Sequence, residues 1–300
     1  NKKDYDANFN LAGCYLGSFN FEKALEYYEF CAELKPDRHE PYHQTGICYK
    51  LVREYEKSIL NLNKALDVKA NPHTYYILGN VCRENGQFED ARKSFNLSIK
   101  MDNNFVNSKL SLANLEIDYG EYEKAEKLIN EIINSQKDNK KNLIAAKVIL
   151  GNLLRSKGDY TEAKKVYKKI LEDSSDNVNA SYNLSLCYLF LKEYDKGWRF
   201  HETRYSLQSF VLLRKMSRNL SKPKWDENKP KNHILLYGEQ GIGEQILYSQ
   251  FFQLLQDQFQ SVTVAVNFKL ISFLKKIYKN IDIIDYRTID CFDHYDYHLP

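Results

Sequence analysis

A small residue recurs along this chain at a nearly fixed spacing, and that recurrence limits the possible folds more than any other feature. Ala12, Gly46, Gly79, Ala113, Gly151 and Ser185 are separated by 34, 33, 34, 38 and 34 residues. Twelve residues after each stands a second small residue: Ala24, Ser58, Ala91, Ala125, Ala163 and Gly197. Four residues further on come Tyr28, Leu62, Phe95, Ile129 and Tyr167, and then His201 breaks the rule. Small residues are needed where two helix axes approach closely, and large ones fill the hole beside them. Each unit therefore reads as a helix A packed on a helix B.

This pattern resembles the tetratricopeptide repeat (TPR), a helix-turn-helix of about 34 residues. Asn85-Gly86, Tyr119-Gly120 and Lys157-Gly158-Asp159 supply the turns between A and B helices. Asp159 followed by Glu162 is a capping-box signature for a B helix. Pro41 and Pro72 suit the first turn of an A helix, and Pro36 ends the first B helix. The four extra residues near 136–141 are expected to form a longer loop between repeats. Residues 1–205 are thus read as an α-helical TPR superhelix of about six repeats.

Stacked repeats build a superhelix whose concave face is lined by A helices. The residue after the small one points toward that groove. Three successive units place asparagine there: Asn80, Asn114 and Asn152. Three residues later come Arg83, Glu116-Ile117 and Arg155. An amide offers donor and acceptor together, so such a ladder can bond the backbone of an extended peptide. Arginines beside it favour acidic partners. The expected ligand is a protein or peptide.

Composition removes several alternatives. Of the 300 residues, 43% are hydrophobic and 28% charged, enough for a core and against global disorder. The formal net charge is +3, which gives no electrostatic case for nucleic acid or an anionic membrane. Twelve Gly and 6 Pro exclude collagen-like and low-complexity chains. The 23 Tyr suit the half-buried, half-wet positions of a helical array. No stretch approaches the roughly 18 apolar residues of a membrane span. Asn1-Lys2-Lys3-Asp4 has no hydrophobic signal core, and the chain lacks an initiator Met, so upstream sequence is expected. Cys14, Cys31, Cys48, Cys82, Cys187 and Cys291 show no CxxC spacing and read as reduced packing residues of a cytoplasmic protein, with no metal site.

After Gly197 the sixth unit departs from the pattern. Residues 206–230 read as a capping helix and linker, ending in Pro223-Lys224-Trp225 and Pro230. Trp198 and Trp225 are the two tryptophans and are expected to anchor the packing between domains. From 231 the grammar changes. Strands are expected at 233–237, 262–266 and 281–286, with helices at 245–259 and 270–278 between them. Ile246, Leu247, Phe251, Leu254 and Leu255 are assigned to the inner face of the first helix. The alternation indicates a doubly wound parallel sheet. Gly238-Glu239-Gln240-Gly241-Ile242-Gly243-Glu244 follows the first strand. Such a loop before a helix start invites an anion. It is neither a Walker motif nor a full dinucleotide fingerprint, because the third glycine position is Ile246. Cys291, Asp293, His294, Asp296 and His298 lie within eight residues and could ligate a metal, but His294 and His298 share one face only in a helix, against which Pro300 and the Tyr-Asp alternation argue.

The order of these motifs resembles a bacterial family. It is the TPR proteins fused to a glycosyltransferase domain of the heptosyltransferase-like, family 9 type. A TPR array leads to Trp198…Glu202…Arg204, then Pro223-x-Trp225, then a strand into Glu239-Gln240-Gly241-Ile242-Gly243-Glu244-Gln245-Ile246. Tyr295-Asp296-Tyr297-His298-Leu299-Pro300 is similar to that family's segment after its third strand. The resemblance implies that residues 231–300 begin a Rossmann-like, GT-B amino-terminal half-domain. It implies Glu239, Gln240, Gly241, Gly243 and Gln245 as substrate-binding residues and Glu244 as general base. The family's usual loop ends in Asp where this chain has Glu244. The implied reaction is inverting glycosyl transfer from a nucleotide sugar to a glycan or protein acceptor, with no resident cofactor or metal. The second half of a GT-B enzyme would lie beyond Pro300, so this chain alone is expected to be inactive. The alternative is a non-catalytic TPR adaptor that binds peptides or proteins in its concave groove.

Overall fold

The computed structural model describes residues 4–206, 222–238, 242–285 and 294–299. The chain divides into two compact units, Asn1–Leu207 and Gln208–Pro300.

The first unit is an array of helix pairs: α1 (Tyr5–Gly17) with α2 (Phe21–Leu34), α3 (His39–Leu51) with α4 (Tyr55–Val68), and α5 (Pro72–Glu84) with α6 (Phe88–Met101). It continues with α7 (Val106–Asp118) and α8 (Tyr122–Ser135), α9 (Lys140–Ser156) and α10 (Tyr160–Asp173), and α11 (Val178–Phe190) and α12 (Tyr194–His201). A 3-10 turn, Glu202–Ser206, follows. Side chains of Asp4, Asn20, Asn71, Asn139, Asp159 and Asn177 accept hydrogen bonds from first-turn N–H groups that the helix leaves unpaired.

The small residues sit where the recurrence requires them. A Cβ added to Gly46, Gly79 or Gly151 would stand 2.6 Å from Leu62, 2.6 Å from Phe95 or 2.5 Å from Tyr167. Leu62, Phe95, Ile129 and Tyr167 are fully buried. The A-to-B turns share one backbone solution. The residue two positions past the A helix is left-handed each time: Phe19, Arg53, Gly86, Gly120, Gly158 and Lys192, with φ between 61° and 86°. Glycine meets that demand without strain, and the other three residues do not.

The four extra residues of the fifth unit do not lengthen the loop. Its connection, 136–139, is no longer than that at 35–38, and the insertion instead extends α9 to 17 residues where the other A helices have 13. Asn139 caps the added turn by accepting from Asn142 N. Continuing a capped helix satisfies more backbone groups than a longer loop would.

The second unit holds a four-stranded sheet of β1 (His233–Tyr237), β2 (Ser261–Val266), β3 (Asp282–Asp285) and β4 (Tyr297–Leu299), in the order β3-β2-β1-β4. All pairings are parallel, with Ile234 beside Val262 and Tyr297, and Val264 beside Ile283. β4 was not among the sequence expectations. Alternate residues separate onto two faces. Ile234, Leu236, Val262, Val264, Val266 and Ile283 form one core, while Leu235, Tyr237, Ala265 and Tyr295 form the other.

The helix expected over 245–259 is two shorter ones, α13 (Ile242–Ser249) and α14 (Phe252–Gln256). The break rotates the chain and corrects the inner face. Ile246, Leu247, Phe251 and Leu254 are exposed, and Phe252 with Phe259 enters the core, Leu255 packing partly against it. α15 (Phe268–Ile277) adds Leu270 and Leu274 to the same side. Trp225 packs within this unit. Its N–H donates to His298 O at 3.0 Å, its Nε1 to Pro230 O at 3.3 Å, and its ring meets Phe259. Trp198 stays 54% exposed on α12, edge-on to His201.

Candidate functional site

Successive A helices touch one another across repeats, α3 with α5, α5 with α7, α7 with α9 and α9 with α11. Elements on the inner radius of a curved stack do this, and it makes the A-helix face continuous. Asn80, Asn114 and Asn152 occupy equivalent positions on α5, α7 and α9. Asn80 is buried, and Asn114 and Asn152 are half-buried. Asn152 Oδ1 accepts from the Tyr167 hydroxyl at 2.7 Å. Arg155 lies beside the same hydroxyl. Asn152, Arg155 and Tyr167 therefore form one cluster inside the fifth repeat, and the arginine's charge is partly spent there.

The other cations of this face are also engaged. Arg83 on α5 meets Asp118 on α7 at 3.8 Å, and Lys50 on α3 meets Glu84 on α5 at 3.1 Å. These pairs join the carboxyl ends of successive A helices. They weaken the expectation that Arg83 attracts acidic partners. Glu116, placed beside the ladder by spacing, is buried instead. Its two carboxylate oxygens accept from Arg92 of α6 at 2.8 and 2.9 Å. Arg92 also reaches Glu89 at 2.6 Å, and these carboxylates hold its guanidinium charged well beyond the usual range. Lys109, equally buried on α7, is paired with Glu131 of α8. A charge buried in an A helix gives little sequence signal, because its partner lies 22 or 24 residues away.

A second feature of this face escaped the sequence reading. Phe9 of α1, His43 of α3 and His73 of α5 line a cleft of about 290 Å³ at the amino-terminal ends of the A helices. The His43 and His73 rings lie 5.1 Å apart, and Tyr76 and Phe105 continue the row of rings. Thr74 Oγ1 and His43 Nδ1 share a hydrogen bond of 3.0 Å. Burial pushes the His43 imidazole down to about 4. The signal was available: Phe9, His43 and Tyr76 lie three residues before Ala12, Gly46 and Gly79.

In the second unit, Glu239, Gln240, Gly241 and the Glu244 side chain lie outside the described residues, as do Cys291 and Asp293. Gly238 follows β1, and its N–H donates to Ala265 O at 3.0 Å. Gln245 packs on Gly238, where an added Cβ would meet it at 2.6 Å, and its Oε1 accepts from Asn267 N at 2.9 Å. Gln245 thus ties the end of β1 to the end of β2. Gly243 lies exposed in the first turn of α13, with open space where a Cβ would be. His298 is buried in β4 beside Leu235. Among the described residues no helix is long and apolar enough to cross a membrane.

Family models for the tetratricopeptide repeat match residues 5–38 and 72–105, and a further one matches 154–197. No curated protein matches the chain. Among solved structures, a tetratricopeptide repeat protein from Parabacteroides merdae is 13% identical with a TM-score of 0.59, covering 93% of this chain and 100% of that one. PilF of Pseudomonas aeruginosa is 15% identical with a TM-score of 0.53, covering 68% of this chain and 92% of that one. A chain of the APC/C hetero-tetramer Cut9-Hcn1 is 16% identical with a TM-score of 0.57, covering 72% of this chain and 43% of that one. At such identities the likeness concerns the fold. The chain carries a tetratricopeptide array, and the helix pairing above is its physical basis.

Proposed function

We propose that the array is a protein-interaction scaffold whose A-helix face holds an extended peptide. One observation carries the reading: three consecutive A helices carry Asn80, Asn114 and Asn152 at equivalent positions on a continuous face, Asn80 buried and the other two half-buried. Peptide groups repeat along a strand, and repeated amides meet them with donor and acceptor alike. Asn114 is the diagnostic residue. It is half-buried, and its replacement removes an amide without opening the Asn152–Tyr167 pair. The test is affinity for a peptide selected from a random library. Asn114→Ala lowers it about tenfold, equivalent to about 1.4 kcal/mol, at an unchanged melting temperature. Equal affinity refutes the ladder.

A second reading is that residues 231–300 begin a doubly wound nucleotide-sugar domain, with Glu244 as general base toward an acceptor hydroxyl. What supports it is the all-parallel order β3-β2-β1-β4. In such sheets the crevice between the strands on either side of the order reversal, here β1 and β4, receives ligands, and the glycine segment leaves β1 at that place. Sugar-nucleotide turnover by the full-length gene product, compared with Glu244→Gln, decides it. Loss of turnover with intact folding favours transfer. No turnover in either protein leaves the adaptor.

A further inference from the structure

The cleft at the amino-terminal ends of α1, α3 and α5 has a chemistry different from that of the asparagine ladder. Its volume of about 290 Å³ lies at the low end for ligand pockets and suits one side chain rather than a nucleotide. Phe9, His43 and His73 supply ring walls. Glu40 is the one lining residue that carries a full charge when the histidines are neutral. His43 is kept neutral by its burial.

Glu40 is incompletely served. Its Oε2 is buried and receives no hydrogen bond of good geometry. The nitrogens paired with it are His39 Nδ1 at 3.2 Å and Arg38 Nε at 4.0 Å. Arg38 also lies over the Tyr5 ring, 5.3 Å from its centroid, so its charge is shared between ring and carboxylate. The start of α5 exerts little pull on an anion here, because Asn71 Oδ1 already accepts from His73 N and Thr74 N.

We propose that this cleft receives a cationic side chain, lysine or arginine, from the peptide that lies along the A-helix face; the proposal rests on the scaffold reading above. The methylene stem packs on Phe9, His43 and His73, and the charged head meets Glu40. A carboxylate in the same place faces Glu40 at close range. A purely apolar side chain brings that carboxylate no counter-charge.

The test uses the whole chain and three capped pentapeptides, identical except for a central lysine, glutamate or leucine. The readouts are the ring resonances of His39, His43 and His73 and the side-chain amides of Asn80, Asn114 and Asn152. The lysine peptide is expected to shift the His43 and His73 rings and to bind about tenfold tighter than the other two. Glu40→Gln, whose side chain is 42% exposed in the wild type, should fold normally and reduce the lysine peptide to the level of the leucine peptide. Equal or tighter binding of the glutamate or leucine peptide at the same rings overturns the inference, as does indifference to Glu40→Gln. Shifts confined to the asparagine amides overturn the cleft and leave the scaffold reading standing. Silence at both sets of resonances overturns both.

Discussion

Replacing Gly151 by alanine should destabilise the array although alanine is the better helix former. A Cβ at 151 would lie 2.5 Å from Cε1 and Cζ of Tyr167 and 2.9 Å from its hydroxyl. Tyr167 is fully buried among Ala163, Ile170, Ala180, Leu184 and Cys187, so its ring has no free space to enter. It must retreat by roughly 1 Å to reach ordinary van der Waals separation, and overpacking of this kind costs about 1–3 kcal/mol. The same shift strains the Tyr167–Asn152 hydrogen bond, worth about 1 kcal/mol. Against this, alanine gains about 1 kcal/mol of helix propensity. The balance is a loss of about 1–3 kcal/mol, or roughly 2–12 °C in melting temperature for a unit of this size. Gly17 is the internal control. It ends α1 with nothing within 4 Å of an added Cβ, so Gly17→Ala should raise the melting temperature by a few degrees. Thermal unfolding followed by circular dichroism measures both. A Gly151→Ala protein as stable as Gly17→Ala would refute the close-approach argument for the recurrence.

Other expectations follow from single contacts. Phe19, Arg53 and Lys192 hold left-handed backbone where the equivalent turns have glycine, so each change to glycine should stabilise by about 1 kcal/mol, read as a higher melting temperature. Arg92→Ala leaves the buried Glu116 carboxylate uncompensated and should cost about 3 kcal/mol in chemical unfolding, whereas Arg92→Met with Glu116→Leu should recover most of it. His43 binds a proton more weakly when folded, its value falling from 6.5 to about 4, so the unfolded chain takes up more protons between those values. Stability should therefore be full above about pH 6.5 and fall as the pH drops toward 4, by up to about 3 kcal/mol. His43→Asn should flatten that part of the profile of melting temperature against pH.

The array was legible because its information is periodic. A small residue opposite a large one, repeated along 200 or so residues, leaves one packing solution. The left-handed turns were half legible, since three carry glycine and three hide the same geometry under Phe19, Arg53 and Lys192. The extra turn of α9 was misread as a loop because an insertion of about one helical turn changes the spacing without saying where it goes. The strands came out close to their true limits, since fully buried parallel strands are short unbroken apolar runs. The helix after β1 did not. Its apolar residues lie on nearly every side, so periodicity could not say that Phe252 points inward while Leu254 stays exposed. At the candidate site, spacing located the asparagines but not their environment. That Asn152 serves Tyr167, that Arg83 is paired with Asp118, and that Phe9, His43 and His73 share a cleft are facts about neighbouring helices. Such facts depend on side chains from half a repeat to a repeat or more apart in sequence, and a single sequence carries no direct record of them.

The most direct test of the scaffold account is to ask which face of the array a bound peptide touches. A photoreactive benzoylphenylalanine is placed at Asn114 on the A-helix face or at Lys127, exposed on α8. Each protein is irradiated with the same library-selected peptide. The account predicts crosslinking from position 114 and none from position 127. Crosslinking from 127 with none from 114 would contradict it.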